Sequence, residues 1–145
     1  MENSKTFMIY ADGGARGNPG PAAYGFVIYD EQGSKVYEEG SAMGNATNNV
    51  AEYSAVVAAL KYLVSSIQYP VSSIKFILDS KLVTEQLSGN WKIKNENLRN
   101  LYFTIKELEQ KIGAKFIYSA VPREQNQEAD RLVNAALDAN LVEGS

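Results

Sequence analysis

Hydrophobic residues along this chain change their spacing twice, and the changes mark its elements. From Lys5 to Tyr10, Ala23 to Tyr29 and Lys35 to Met43 the runs are short and rich in aromatic and β-branched residues, which predicts three strands. Asp30–Gly33 supplies a turn between the second and third, and GGARGNPGP at 13–21 punctuates the chain after the first. Short connections make these three an antiparallel meander. The spacing then becomes helical: Tyr53, Val56, Val57, Leu60, Leu63, Val64 and Ile67 recur at i, i+3, i+4 and i+7. That helix begins near Asn48 or Asn49, both good caps, and stops before Pro70. Ser73 to Leu78 is a fourth strand; Ser80 caps a short helix to Leu87, stopped by Gly89. Leu98, Leu101, Tyr102, Ile105, Leu108 and Ile112 mark a second long helix closed by Gly113. Ala114 to Val121 alternates as a fifth strand and Pro122 breaks it. Asn126 can cap a last helix through about Leu137, and 141–145 reads as a flexible tail.

A strand-helix-strand unit after a meander implies an α/β fold with a mixed sheet and helices on its faces, in one domain over 1–140. The length of 145 residues suits a single core. No basic n-region precedes a long apolar stretch at the N-terminus, and no apolar run approaches membrane-spanning length, so the expectation is a cytoplasmic protein away from membranes. No obligate oligomer is suggested, and a monomer is expected.

The chemistry is narrowed by what is missing. With no His and no Cys, there is no Ser-His-Asp triad, no thiolate nucleophile and no ordinary zinc site. Four carboxylates sit in marked settings: Asp12 in IYADGG, Glu52 in TNNVAEY, Asp79 in FILDSK and Asp130 in NQEADRL. Each also has a bland reading. Asp12 could serve an Asp-Gly turn, and Asn49-x-x-Glu52 matches a capping box. Asp79 could cap a helix, and Asp130 could complement a helix dipole. Four such coincidences are a poorer account than convergence at one end of the sheet, around Mg²⁺ or Mn²⁺, because clustered carboxylates repel unless cations lie between them. Two such ions suit phosphodiester hydrolysis. The net charge of −3 looks wrong for a nucleic-acid binder. Setting four of the 17 acidic residues aside as metal ligands leaves thirteen against 14 Lys and Arg, so the local field decides.

Taken together, YADGG…RGNPGP at 10–21, TNNVAEY at 47–53, LDS at 78–80 and NxxADxLV at 126–133 resemble ribonuclease H of type 1, in order and from Phe7 to Leu137. The resemblance implies a ribonuclease H-like fold of three antiparallel strands followed by two parallel ones. It implies an endonuclease that cuts the RNA strand of an RNA–DNA hybrid and leaves 5′-phosphate and 3′-hydroxyl ends. Asp12, Glu52, Asp79 and Asp130 would hold two ions: Asp12 bridges both, Asp130 serves the ion beside the attacking water, and Glu52 and Asp79 serve the leaving-group side.

Substrate contacts are expected from Gly13, Gly14 and Asn18 in the glycine-rich segment, where small residues permit close approach to a groove displaying 2′-hydroxyls. Asn49 and Asn48 are expected to join them, and Thr47 matches a family position that binds a phosphate of the DNA strand. Trp91, flanked by Lys92, Lys94 and Arg99, suits a sugar-phosphate track, although it could equally cap the core. The extended basic handle of some relatives looks absent or minimal here, since WKIKNEN passes directly into a helix. Many relatives also place a histidine in the loop before the last aspartate. Here that loop is AVPREQNQEAD, and Arg123 is the nearest substitute: it cannot act as a base but can hold a phosphate. Asn126 could orient Asp130, touch substrate or merely cap the helix; Glu124 and Glu128 are expected to be solvated. Competing readings are a nuclease of the same fold acting on double-stranded RNA or on DNA junctions, and a non-catalytic hybrid-binding module. No phosphate loop of the G-x-x-x-x-G-K-[ST] type exists.

Overall fold

The computed structural model describes residues 5–66 and 70–143. Ile67 of the predicted first-helix stripe lies outside them. Five strands, β1 (Lys5–Ala15), β2 (Gly20–Tyr29), β3 (Lys35–Ala46), β4 (Val71–Leu78) and β5 (Lys115–Ala120), form one sheet in the order β3-β2-β1-β4-β5. The β1–β2 and β2–β3 pairs are antiparallel; β1–β4 and β4–β5 are parallel, as expected. Among the described residues four α-helices accompany them, α1 (Asn48–Ser66), α2 (Lys81–Leu87), α3 (Glu96–Ile112) and α4 (Gln127–Glu143), with one 3-10 turn at Arg123–Gln125. Among the described residues, no helix is long and apolar enough to cross a membrane.

Strand alternation divides the interior. Phe7, Ile9 and Ala11 of β1 and their partners Ile28 and Phe26 of β2 point to the side carrying α1 and α3, where the main core lies. The next positions face α4, where Ala23 packs with Val133 and Leu137. The stripe predicted for α1 is buried at Tyr53, Val56, Leu60 and Leu63, but Val64 is 42% exposed. Ala51, Ala55 and Ala59 are fully buried instead. Small residues carry no strong periodic signal, yet they let a helix lie close to a sheet.

Three boundaries differ from expectation. β1 does not end at Tyr10: it runs through Asp12 to Ala15, because the first part of the glycine-rich segment pairs with β2 across Gly13↔Tyr24 and Gly14↔Ala23. The cap of α1 is Thr47, whose Oγ1 accepts from Val50 N at 3.2 Å. The capping box centred on Asn49 is therefore displaced, and Glu52 is released from that role. The last helix passes Leu137 and runs to Glu143, since nothing before Gly144 breaks it; residues 141–143 of the expected tail are helical, and the final two lie outside the described residues.

Candidate active site

β4 pairs with β1 only as far as Ile77↔Tyr10. Two residues later along β1, Asp12 is still paired with Gly25 of β2, but its other edge is no longer covered by β4. That opening lies beyond the carboxyl end of a parallel strand, where open α/β sheets gather ligands. Asp79 follows directly from the end of β4, and Ser80 starts α2 by accepting from Val83 N at 3.2 Å, as predicted.

Glycines bring the two helices close enough to contribute. A Cβ on Gly13 would stand 2.2 Å from the carbonyl carbon of Ala51 and 2.4 Å from Glu52 N. Only a residue without a side chain lets the start of α1 rest there, which places Glu52 beside Asp12. Gly13 is thus buried under α1, where the sequence suggested an open contact for substrate. On the opposite face, Gly25 and its partner Gly40 admit α4: added Cβ atoms would meet Leu132 Cβ and the Ala129 carbonyl oxygen at 2.8 and 2.9 Å, and the Leu132 carbonyl oxygen at 2.8 Å. Asp130 enters on that helix.

Asp12, Glu52 and Asp79 each present a carboxylate oxygen within 4.8 Å of the other two. Asp130 does not join this trio but couples electrostatically to Asp12 and Asp79, and its Oδ1 receives Arg123 Nη1 at 3.4 Å. Convergence therefore holds for three of the four carboxylates, with the fourth at its margin. Asp12 is 4% exposed and Glu52 9%, and buried Oδ1 of Asp12 and Oδ2 of Asp79 find no donor. Burial first, then Asp79 and Asp130, push the Asp12 carboxyl from 3.8 up to about 7, against a backbone hydrogen bond at Gly13 and the Arg123 charge. Burial, then Asp79 and Asp12, push Glu52 from 4.5 up to about 8, opposed by Arg123 and a hydrogen bond with Ser80. Asp79 is raised too, mainly by burial, with Arg123 and a hydrogen bond with Asn126 working the other way. Unpartnered, mutually repelling oxygens in a desolvated cleft fit a hard divalent cation, which takes oxygen ligands and would remove the repulsion.

Asn126 is 1% exposed and donates through Nδ2 to the Ala11 carbonyl oxygen at 2.9 Å. It ties the entry of α4 to β1 beside Asp12 and touches Asp79, so its side chain neither caps the helix nor stands open to substrate. Asn18, Asn48, Thr47 and Gly14 gather at the start of α1. Asn18 Oδ1 accepts from Asn48 N at 3.0 Å, and Asn48 Oδ1 accepts from Ala15 N at 2.8 Å. Asn18, Thr47 and Asn48 are exposed, Asn49 half-buried. Trp91 is 44% exposed with Lys81 Nζ 5.7 Å from its ring centre, so it does not cap the core. The connection from α2 to α3 carries no additional helix. Glu128 is not free, since it accepts from Tyr29 Oη and pairs with Lys35 at 3.1 Å, whereas Glu124 is exposed. Sequence reasoning missed Gly25 and Gly40 as seats for α4. Their spacing opposite Asp12 becomes meaningful only once strand register is known.

This arrangement of sheet and carboxylates has relatives. Residues 10–136 match the family described as reverse transcriptase-like. The N-terminal RNase H domain of Rv2228c from Mycobacterium tuberculosis superposes with a TM-score of 0.88 at 42% identity, covering 98% of this chain and all of that domain. RNase H1 of Halobacterium salinarum gives 0.85 at 40% identity over 92% and 98% of the two chains. LC11-RNase H1, solved in complex with an RNA/DNA hybrid, gives 0.88 at 37% identity over 93% and 99%. The chain belongs to the type 1 ribonuclease H family. It spans 35% of the full-length bifunctional protein Rv2228c and 63% of the Halobacterium ribonuclease HI.

Proposed function

We propose that this protein hydrolyses the RNA strand of RNA–DNA hybrids with two divalent ions, Mg²⁺ or Mn²⁺, leaving 5′-phosphate and 3′-hydroxyl ends, and that it works as a cytoplasmic monomer. The observation that carries the reading is the trio of Asp12, Glu52 and Asp79, with oxygens within 4.8 Å of one another. Asp12, Glu52 and Asp79 would hold the ions, with Asp130 completing the set from α4. Ions there supply positive charge that activates water and offsets charge on the leaving oxygen. The protein's own part is to keep these oxygens desolvated and without competing donors, so that the cleft is ready for cations.

Arg123 stands at 70% side-chain exposure on the turn before α4 and reaches Asp130 at 3.4 Å. It can leave that exposed pair for a substrate or product phosphate, which makes it a catalytic residue in place of the histidine of relatives. The edge formed by exposed Asn18, Thr47 and Asn48 with half-buried Gly14 and Asn49 meets the hybrid's minor groove and backbone. Trp91 and its neighbouring lysines meet the backbone further along. Arg123 also favours a second reading, in which double-stranded RNA is cut as well.

End-labelled hybrid, duplex RNA and duplex DNA are incubated with Mg²⁺ or Mn²⁺, with Asp12→Asn beside the wild type. Metal-dependent cutting of the hybrid's RNA strand, lost in the variant, is expected. A folded wild type that binds hybrid but cuts nothing at any metal concentration would make it a binding module instead.

A further inference from the structure

Tyr53 follows Glu52 on α1 and is wholly buried. Its hydroxyl donates to Gln86 Oε1 on α2 at 2.7 Å, and Gln86 Nε2 donates to the Lys92 carbonyl oxygen at 3.3 Å. The direction of this chain is fixed by chemistry: a carbonyl only accepts, so the amide nitrogen faces Lys92 and the amide oxygen faces Tyr53. Gln86 is 6% exposed, its bond to Tyr53 is buried, and its bond to Lys92 is partly so. Residues 88–95 have no regular structure, and Trp91, Lys92 and Lys94 are exposed. The backbone there is nevertheless held from several sides. Asn90 N and Trp91 N both reach the Glu85 carbonyl oxygen, at 2.9 and 3.2 Å, and Arg99 Nη1 donates to the Lys94 carbonyl oxygen at 2.9 Å.

A buried glutamine is a poor choice for stability alone, since an apolar side chain of similar volume would fill the space without needing two partners. What the amide adds is a fixed distance between the helix bearing Glu52 and an exposed segment bearing an indole ring and two cations. α2 starts at Lys81, two residues after Asp79, and Lys81 Nζ lies 5.7 Å from the Trp91 ring centre, so the segment runs back along the helix that begins beside the carboxylates. We propose that the Tyr53–Gln86–Lys92 chain sets the Trp91–Lys94 segment at a defined place relative to the carboxylate trio, so that it receives the backbone of a bound hybrid. The proposal rests on the hybrid-hydrolysing reading above. Gln86 and Tyr53 are positioning residues, and neither is expected to touch the substrate.

Trp91 is the chain's one tryptophan, so intrinsic indole fluorescence reports on this segment alone. Gln86→Met and Tyr53→Phe are compared with wild type by acrylamide quenching of that fluorescence and by steady-state cleavage of a labelled hybrid. Greater quenching in Gln86→Met is expected, with KM raised ~5-fold or more and kcat within ~2-fold. Tyr53→Phe should shift both in the same direction by less, and it decides the matter if Gln86→Met does not fold. Folded variants with wild-type quenching and wild-type KM, or a fall in kcat alone, would overturn the proposal. If the wild type cuts no hybrid, the functional reading fails by itself, while the quenching comparison still tests whether Gln86 orders the segment.

Discussion

Replacing Asp12 by Asn should stabilise the metal-free protein, and more so at high pH. The folded carboxyl is raised from 3.8 to about 7, first by burial and then by Asp79 and Asp130. Below about pH 4 both folded and unfolded chains hold the proton, and the site costs nothing. Between that pH and about 7 the unfolded chain has released its proton while the folded chain keeps it, so stability falls as pH rises. Above about 7 the deficit is constant. A gap of about three between the two pKa values corresponds to ~4 kcal/mol once ionisation is complete, a ceiling because part of the repulsion is shared with Asp79. At pH 5 the unfolded carboxyl is already mostly ionised and ~1.7 kcal/mol of this is present, so pH 8.5 adds ~2–3 kcal/mol. Asn lacks the ionisation and escapes the whole deficit.

Urea denaturation in EDTA at pH 5 and pH 8.5 reads the effect directly. The advantage of Asp12→Asn over wild type should grow by ~2–3 kcal/mol between the two conditions. Adding Mg²⁺ at pH 8.5 should raise the wild type and leave the variant nearly unchanged, since binding to the folded state alone adds stability. An advantage of equal size at both pH values would refute the reasoning, because burial and repulsion of a charge would then not be what the site stores.

Gly13→Ala should cost at least ~3 kcal/mol, since the added carbon meets α1 backbone, whereas Gly14→Ala, with Val133 Cγ1 at 3.9 Å, should stay within ~1 kcal/mol; equal urea midpoints for the pair would contradict the packing role. Arg123→Ala should slow hybrid cleavage ~10–100-fold while calorimetry still detects metal binding, and an unchanged rate would remove Arg123 from the reaction. Asn126→Ala leaves the Ala11 carbonyl oxygen without its donor and should cost ~1–3 kcal/mol; wild-type stability in the variant would show that water replaces the amide there.

The elements of this fold were legible because periodicity and punctuation are local. Gly113 ends α3 in the left-handed conformation, and Ser80 caps α2, as their neighbours in sequence require. The four carboxylates were legible for another reason: each occupies a motif, and the motifs occur in one order. The register of β1 was not, because a strand that continues through Asp-Gly-Gly depends on its partner β2, and local turn preference points the other way. The same blindness hid the separation of Asp130 from the other three. It rides on α4, whose seat is set by Gly25 and Gly40, residues more than 80 positions away in the chain.

Gly13 and Gly25 therefore shape the site through packing alone. Gly13 points to one face of the sheet and Gly25 to the other, and each is filled by the backbone or Cβ of an arriving helix. Asp12 lies between them, next to Gly13 in the chain and opposite Gly25 in the sheet. A bulkier residue at Gly13 would lift α1 and carry Glu52 away, and one at Gly25 would lift α4 and carry Asp130 away; either would let water reach Asp12 and return its carboxyl toward its ordinary acidity. Close packing from both sides is what desolvates it, and desolvation is the largest cause of its raised pKa. In this fold the desolvation of Asp12 is set by how near two helices can come to one strand.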